Sequence, residues 1–148
     1  MFKRFYFASL LVAVALLLGV EGNIAPAKAA KIVAKVDLSQ QRMNVYKNGR
    51  KLYSWRVSTG RGRYRTPTGS YRPTVLRRMH YSSKYNNSPM PHSIFFRGGY
   101  AVHGTNHIRR LGRPASHGCV RLHPRNARTL FNLVRRSGQR NARIVITH

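Results

Sequence analysis

Cys119 is the only cysteine of the chain, and it stands in the stretch Ser116-His117-Gly118-Cys119-Val120-Arg121-Leu122, downstream of His103-Gly104-Thr105. A thiol, an imidazole and a guanidinium that one short loop can bring together are the parts of a nucleophilic acyl-transfer site. As a thiolate, Cys119 would attack a carbonyl carbon. His103 would take its proton and later activate an incoming nucleophile. The imidazole then needs its second nitrogen held. With hardly an acid in the chain, a backbone carbonyl near Gly104 is the expected partner. Gly118 allows a sharp turn, and the N–H groups of His117, Gly118 and Cys119 would converge as an oxyanion hole. Arg121 would either hold a substrate carboxylate or depress the thiol pKa. The competing reading is a zinc site from His103, His117, Cys119 and His123. Their spacing fits no closed ligand pattern, which tells against zinc.

The composition prunes other chemistries. The chain of 148 residues carries 28 Lys and Arg against 2 acids, a formal charge of +26. The acids are Glu21 and Asp37, so neither the paired carboxylates of glycoside hydrolysis nor a Ser-His-Asp triad is available. Such a charge predicts a polyanionic partner: nucleic acid, anionic lipid or an acidic wall polymer. The N-terminus chooses among them. Lys3 and Arg4 precede an apolar run from Phe5 to Val20, followed by Ala27-Lys28-Ala29. This is the pattern of a secretory signal peptide over residues 1–29 with cleavage after Ala29, an uncut membrane anchor being the alternative. Residues 30–148 are then one exported domain, in the periplasm or cell wall. Export tells against nucleic acid, for which Tyr64, Tyr71, Tyr81 and Tyr85 would have been the stacking residues. It also makes an unpaired thiol notable, since exported chains usually pair theirs.

The elements that must position these groups follow from periodicity. Ile32, Ala34, Val36 and Leu38 alternate as a first strand, and Met43, Val45 and Tyr46 lie in a second. Asn48-Gly49 signals a hairpin into Leu52–Val57. Residues 60–69 form a shaped loop ending in Thr66-Pro67-Thr68-Gly69. A strand is expected over 70–76, and a basic surface excursion over 77–91. Ile94–Phe96 and Tyr100–Val102 read as a bulged pair that leaves His103 at a strand end. Pro124 starts a helix with Ala127, Leu130, Phe131 and Val134 on its apolar face, Gly138 stops it, and Ile144–Ile146 is a last strand. The fold class predicted is mainly β, a sandwich with one helix packed on it.

These motifs together resemble the L,D-transpeptidase catalytic domain, or YkuD, family. The resemblance rests on His103-Gly104-Thr105-Asn106 and Ser116–Leu122, supported by Val57-Ser58-Thr59-Gly60, Thr66–Gly69 and Arg143–Ile146, and it runs from about Lys31 to His148. It implies a β-sandwich acting on peptidoglycan in cell-wall biogenesis. Cys119 would attack the third-residue carbonyl of a tetrapeptide stem and expel D-alanine. The thioester would pass to an acceptor amine, giving a 3→3 cross-link or attachment of a lipoprotein. On this resemblance His103 is the proton donor and acceptor, Ser116, His117 and Gly118 shape the oxyanion hole with Gly104 nearby, Arg121 binds substrate, and no metal or organic cofactor is used. A hydrolase of the same fold, using water as acceptor, needs the same residues. A non-catalytic basic wall-binding protein is the alternative of another class. The expected partners are stem peptides, with anionic wall polymers held by the basic surface, and the domain is expected to act as a monomer. Arg109, Arg110 and Arg113 in the loop 106–115 would either recognise stem carboxylates or form a solvated basic loop.

Overall fold

The structure, a computed structural model, describes residues 31–148. The expected leader lies outside the described residues. Strands β1 (Ile32–Asp37), β2 (Arg42–Lys47) and β3 (Arg50–Arg56) form an antiparallel meander. The turn between β2 and β3 uses Asn48 and Gly49 at φ 51° and 82°, the left-handed pair that a two-residue hairpin requires. Strand β9 (Ala142–Thr147) lies parallel to β1, and the short β4 (Gly69–Tyr71) pairs with β9. The resulting five-stranded sheet has the order β3-β2-β1-β9-β4.

The second sheet has four strands, β5 (Val75–Ser82), β6 (Ser88–Arg97), β7 (Tyr100–Gly104) and β8 (Val120–Leu122), in that order. Here the structure corrects two expectations. The strand expected over 70–76 is split, with Pro73 between β4 and β5, because proline cannot continue a ladder. The excursion expected over 77–91 is instead the body of the β5–β6 hairpin. Its Pro89 and Pro91 are tolerated because residues 88–93 pair only with β5; β7 joins β6 from Ile94 onward.

The sandwich closes around Ile32, Val36, Val45 and Ile144 from one sheet and Ile94, Phe96, Val102 and Val120 from the other. Helix α1 (Pro124–Ser137) packs on β6 and β7 through Ala127, Leu130, Phe131 and Val134, all buried. Each large apolar side chain so buried contributes about 2 kcal/mol before entropy is counted. Pro124 opens the helix, the His123 Nδ1 accepts the Arg125 N–H at 3.2 Å, and Gly138 at φ 80° ends it. His123, weighed above as a zinc ligand, is thus a helix cap. No helix among the described residues is long and apolar enough to cross a membrane.

Candidate active site

Strands β7 and β8 pair in parallel, with Val102 opposite Val120 and His103 opposite Arg121. A parallel pair needs a long crossover, and residues 105–119 supply it. This explains why the two motifs are well separated in sequence yet adjacent in space. Continuing the register by one residue sets Cys119 beside Ala101. Side chains alternate along a strand, so Val102 and Val120 face the core while Cys119, His103 and Arg121 share the opposite face. All three line one cleft of about 470 Å³, together with His117, Tyr85 and Lys84.

His103 is 5% exposed, and its Nδ1 lies 2.7 Å from the Gly104 carbonyl oxygen. A carbonyl only accepts, so Nδ1 carries the proton and Nε2 keeps its lone pair. Burial lowers the His103 pKa from 6.5 to about 4; the Gly104 carbonyl opposes this, and the Arg121 charge adds to it. The imidazole is therefore neutral at neutral pH. Burial likewise raises the Cys119 thiol, against the pull of the Ala101 N–H and of Arg121. The Cys119 thiol donates to the Gly99 carbonyl at 3.8 Å, so the resting site holds a neutral thiol and a neutral imidazole, not an ion pair. Arg121 is itself lowered, chiefly by burial, and its Nη1 donates to the Ala115 carbonyl at 3.3 Å.

The loop that carries Cys119 is fixed from inside. The fully buried Ser116 hydroxyl donates to the Cys119 carbonyl at 2.6 Å and accepts the Gly118 N–H at 3.0 Å. The Gly118 N–H is thereby engaged and does not join the oxyanion hole expected of it. Gly118 sits at φ 113°, where a Cβ would come within 2.5 Å of the Tyr100 ring, so no side chain fits. From outside, the loop is clamped by the segment after β3. Ser58 and Arg121 exchange backbone hydrogen bonds of 3.0 and 2.8 Å, and Thr59 accepts the N–H groups of Ala115 and Ser116. Gln41 in turn holds Thr59 through side-chain bonds of 2.6 and 2.9 Å.

Two features were not assigned a role in the sequence. The Thr66 hydroxyl accepts the Gly60 N–H at 2.9 Å and donates to the Gly118 carbonyl at 2.8 Å, reaching across 52 positions of sequence. Thr66 is 5% exposed, and its hydroxyl positions the residue before the thiol. Only its place in a proline- and glycine-shaped turn hinted at this. The second feature is the end of the β5–β6 hairpin. Tyr85 stacks on the His117 ring with centroids 4.3 Å apart and planes at 13°, and Tyr64 meets that ring edge-on at 4.7 Å. Tyr71 packs instead on Phe96, and Tyr81 is exposed, so the four tyrosines form no shared stacking platform. Of the three loop arginines, Arg110 lines the cleft and Arg109 and Arg113 do not.

Residues 31–146 match the model of the L,D-transpeptidase catalytic domain, YkuD. The chain belongs to this family. A curated protein of Bacillus licheniformis, named provisionally as the L,D-transpeptidase YkuD, is 26% identical over 106 residues, covering 67% of this chain and 58% of that protein. An L,D-transpeptidase structure from Xylanimonas cellulosilytica superposes with a TM-score of 0.68 at 29% identity, over 82% of this chain and 63% of the other. One from Mycobacterium smegmatis gives a TM-score of 0.72 at 19% identity, over 80% and 59%, which is a likeness of fold. The chain thus spans less than two thirds of the length of these relatives. The sandwich with a single packed helix is the fold of the L,D-transpeptidase family.

Proposed function

We propose that this YkuD-family chain is an exported peptidoglycan L,D-transpeptidase, with residues 1–29 a signal peptide and 30–148 the catalytic domain. The observation that carries the reading is the β7–β8 register. It gives Cys119 and His103 one face of one cleft, with the His103 Nδ1–H already committed to the Gly104 carbonyl.

Cys119 Sγ attacks the third-residue carbonyl carbon of a tetrapeptide stem, and its proton passes to His103 Nε2. The oxyanion so formed is met by the N–H groups of His117 and Cys119, with Gly118 and Ser116 shaping the loop. The C–N bond to D-alanine breaks, and His103 returns the proton to the departing amine. An acceptor amine then attacks the thioester carbonyl and gives its proton to His103. The C–S bond breaks and the sulfur is reprotonated from the imidazolium. Arg121, half-buried beside His103, steadies a substrate carboxylate. The basic surface holds anionic wall polymer, an attraction that added salt would weaken.

The test is intact-protein mass spectrometry with a disaccharide-tetrapeptide donor, with and without an acceptor stem, for the native chain and Cys119→Ala. A thioester adduct on the native chain alone, with loss of D-alanine and conversion to cross-linked product when acceptor is added, is the expected result. An adduct that decays only to free tripeptide identifies a hydrolase. No adduct on folded protein with a titratable thiol overturns the reading.

A further inference from the structure

The cleft that holds Cys119 is cationic well beyond what the reaction needs. Arg61, Lys84 and Arg110 stand exposed on its walls, and Arg121 lies half-buried at its floor. They come from four separate parts of the chain: the loop after β3, the end of the β5–β6 hairpin, the crossover and β8. Their charges reach the centre. Arg121 and Arg61 both disfavour a further positive charge on His117, as does Lys84, and Arg110 and Arg61 do the same to Arg121.

No carboxylate side chain among the described residues neutralises them. The single acid among the described residues, Asp37, lies away from the cleft, and its carboxylate accepts the Ser39 hydroxyl and the Gln40 N–H in a turn. Lys84 is also held in place, because its neighbour Tyr85 is stacked on His117 and the Lys84 Nζ lies 5.7 Å from the Tyr85 ring centre. A concave wall of like charges over a low-dielectric floor focuses field toward an anion, repels a cation and gives a neutral group no such attraction. One carboxylate at Arg121 does not account for three further cations.

We propose that the cleft selects acyl donors whose side-chain carboxyl groups are free, and discriminates against the same peptides with those carboxyls amidated, through Arg61, Lys84 and Arg110. The proposal rests on the transpeptidase reading above and names the chemical state of its donor.

The experiment compares two synthetic tetrapeptide donors, identical except that the side-chain carboxyls are free in one and amidated in the other. The kcat/KM for Cys119 acylation is read by time-resolved intact mass, at low and high salt. The free-acid donor is expected to be favoured by about tenfold at low salt, the yield of a few partly exposed ion pairs. High salt should shrink that preference. The double variant Lys84→Gln/Arg110→Gln, at exposed positions that leave the core untouched, should bring the ratio of the two donors toward one. Equal efficiency for both donors, a preference for the amidated donor, or a preference that survives intact in the double variant overturns the proposal while the transpeptidase reading stands. Failure of both donors to form a thioester overturns that reading, and the selectivity with it.

Discussion

His103 and Lys84 face the same cleft from opposite kinds of structure. His103 belongs to a parallel strand pair whose inward neighbours Val102 and Val120 are buried, and its ring is locked by the Gly104 carbonyl. Lys84 belongs to a hairpin end held by turn bonds, Tyr85 N–H to the Ser82 carbonyl and Ser88 N–H to the Tyr85 carbonyl, and by one aromatic stack. Proton transfer needs sub-ångström placement, which a ladder and a packed core supply. Reading the charge of a peptide tolerates looser geometry, which a hairpin end supplies. On the proposed function the chemistry sits on the side with the least freedom, and on the proposed selectivity the recognition sits on the side with more.

That contrast predicts a graded response to substitution. Gly118→Ala on the rigid side should cost most, about 4 kcal/mol from a left-handed backbone and overpacking against Tyr100. Its thermal midpoint should fall by roughly 10 °C or more, and acylation should fail even in the folded fraction. A midpoint near that of the native chain would show the loop to be more pliant than its hydrogen bonds imply.

Acid is the next probe. His103 binds its proton in the unfolded chain near pH 6.5 but in the folded chain only near pH 4. The unfolded state thus holds more protons between those values. The burial of neutral His103 favours folding above pH 6.5, and that advantage is lost as pH falls toward 4, by roughly 3 kcal/mol. His92 and His117, also lowered chiefly by burial, act in the same direction. Denaturant titrations across this window should show the slope, and His103→Gln should flatten it.

Thr66→Val removes the hydroxyl between Gly60 and Gly118 and strands a buried N–H and carbonyl, costing about 2 kcal/mol. If Thr66 positions the thiol, kcat for acylation should fall more than KM rises, and Thr66→Ser should restore it. On the hairpin, Tyr85→Ala should cost about 1 kcal/mol or less of stability, the worth of one aromatic stack. Its effect should appear in KM. A large kcat loss there would erase the distinction between the two sides.

The same distinction decides what could be read in the sequence. The meander, its Asn48-Gly49 turn, helix α1 with its four buried residues, and β9 all carry local signals, and each is where periodicity places it. The thiol, the imidazole and the arginine stand in two short motifs. Strand β8 carries no such signal. Its three residues are held by the β7 register and by Ser58, contacts that depend on distant parts of the chain. The β5–β6 hairpin is hidden by its own composition, since basic residues, Asn86-Asn87 and two prolines read as loop until the half of β6 that pairs on one side only is seen. The Thr66 bridge is a tertiary contact with no local trace.

The account turns on the claim that the rigid side holds a neutral thiol and a neutral imidazole and makes the thiolate only during attack. Titrating the ultraviolet thiolate absorbance of the single cysteine against pH, in the folded native chain and in His103→Gln, tests it directly. The account predicts no thiolate at neutral pH in either protein, with ionisation above the ordinary thiol range. Thiolate absorbance in the native chain at neutral pH that disappears in His103→Gln would reveal a resting ion pair and contradict it.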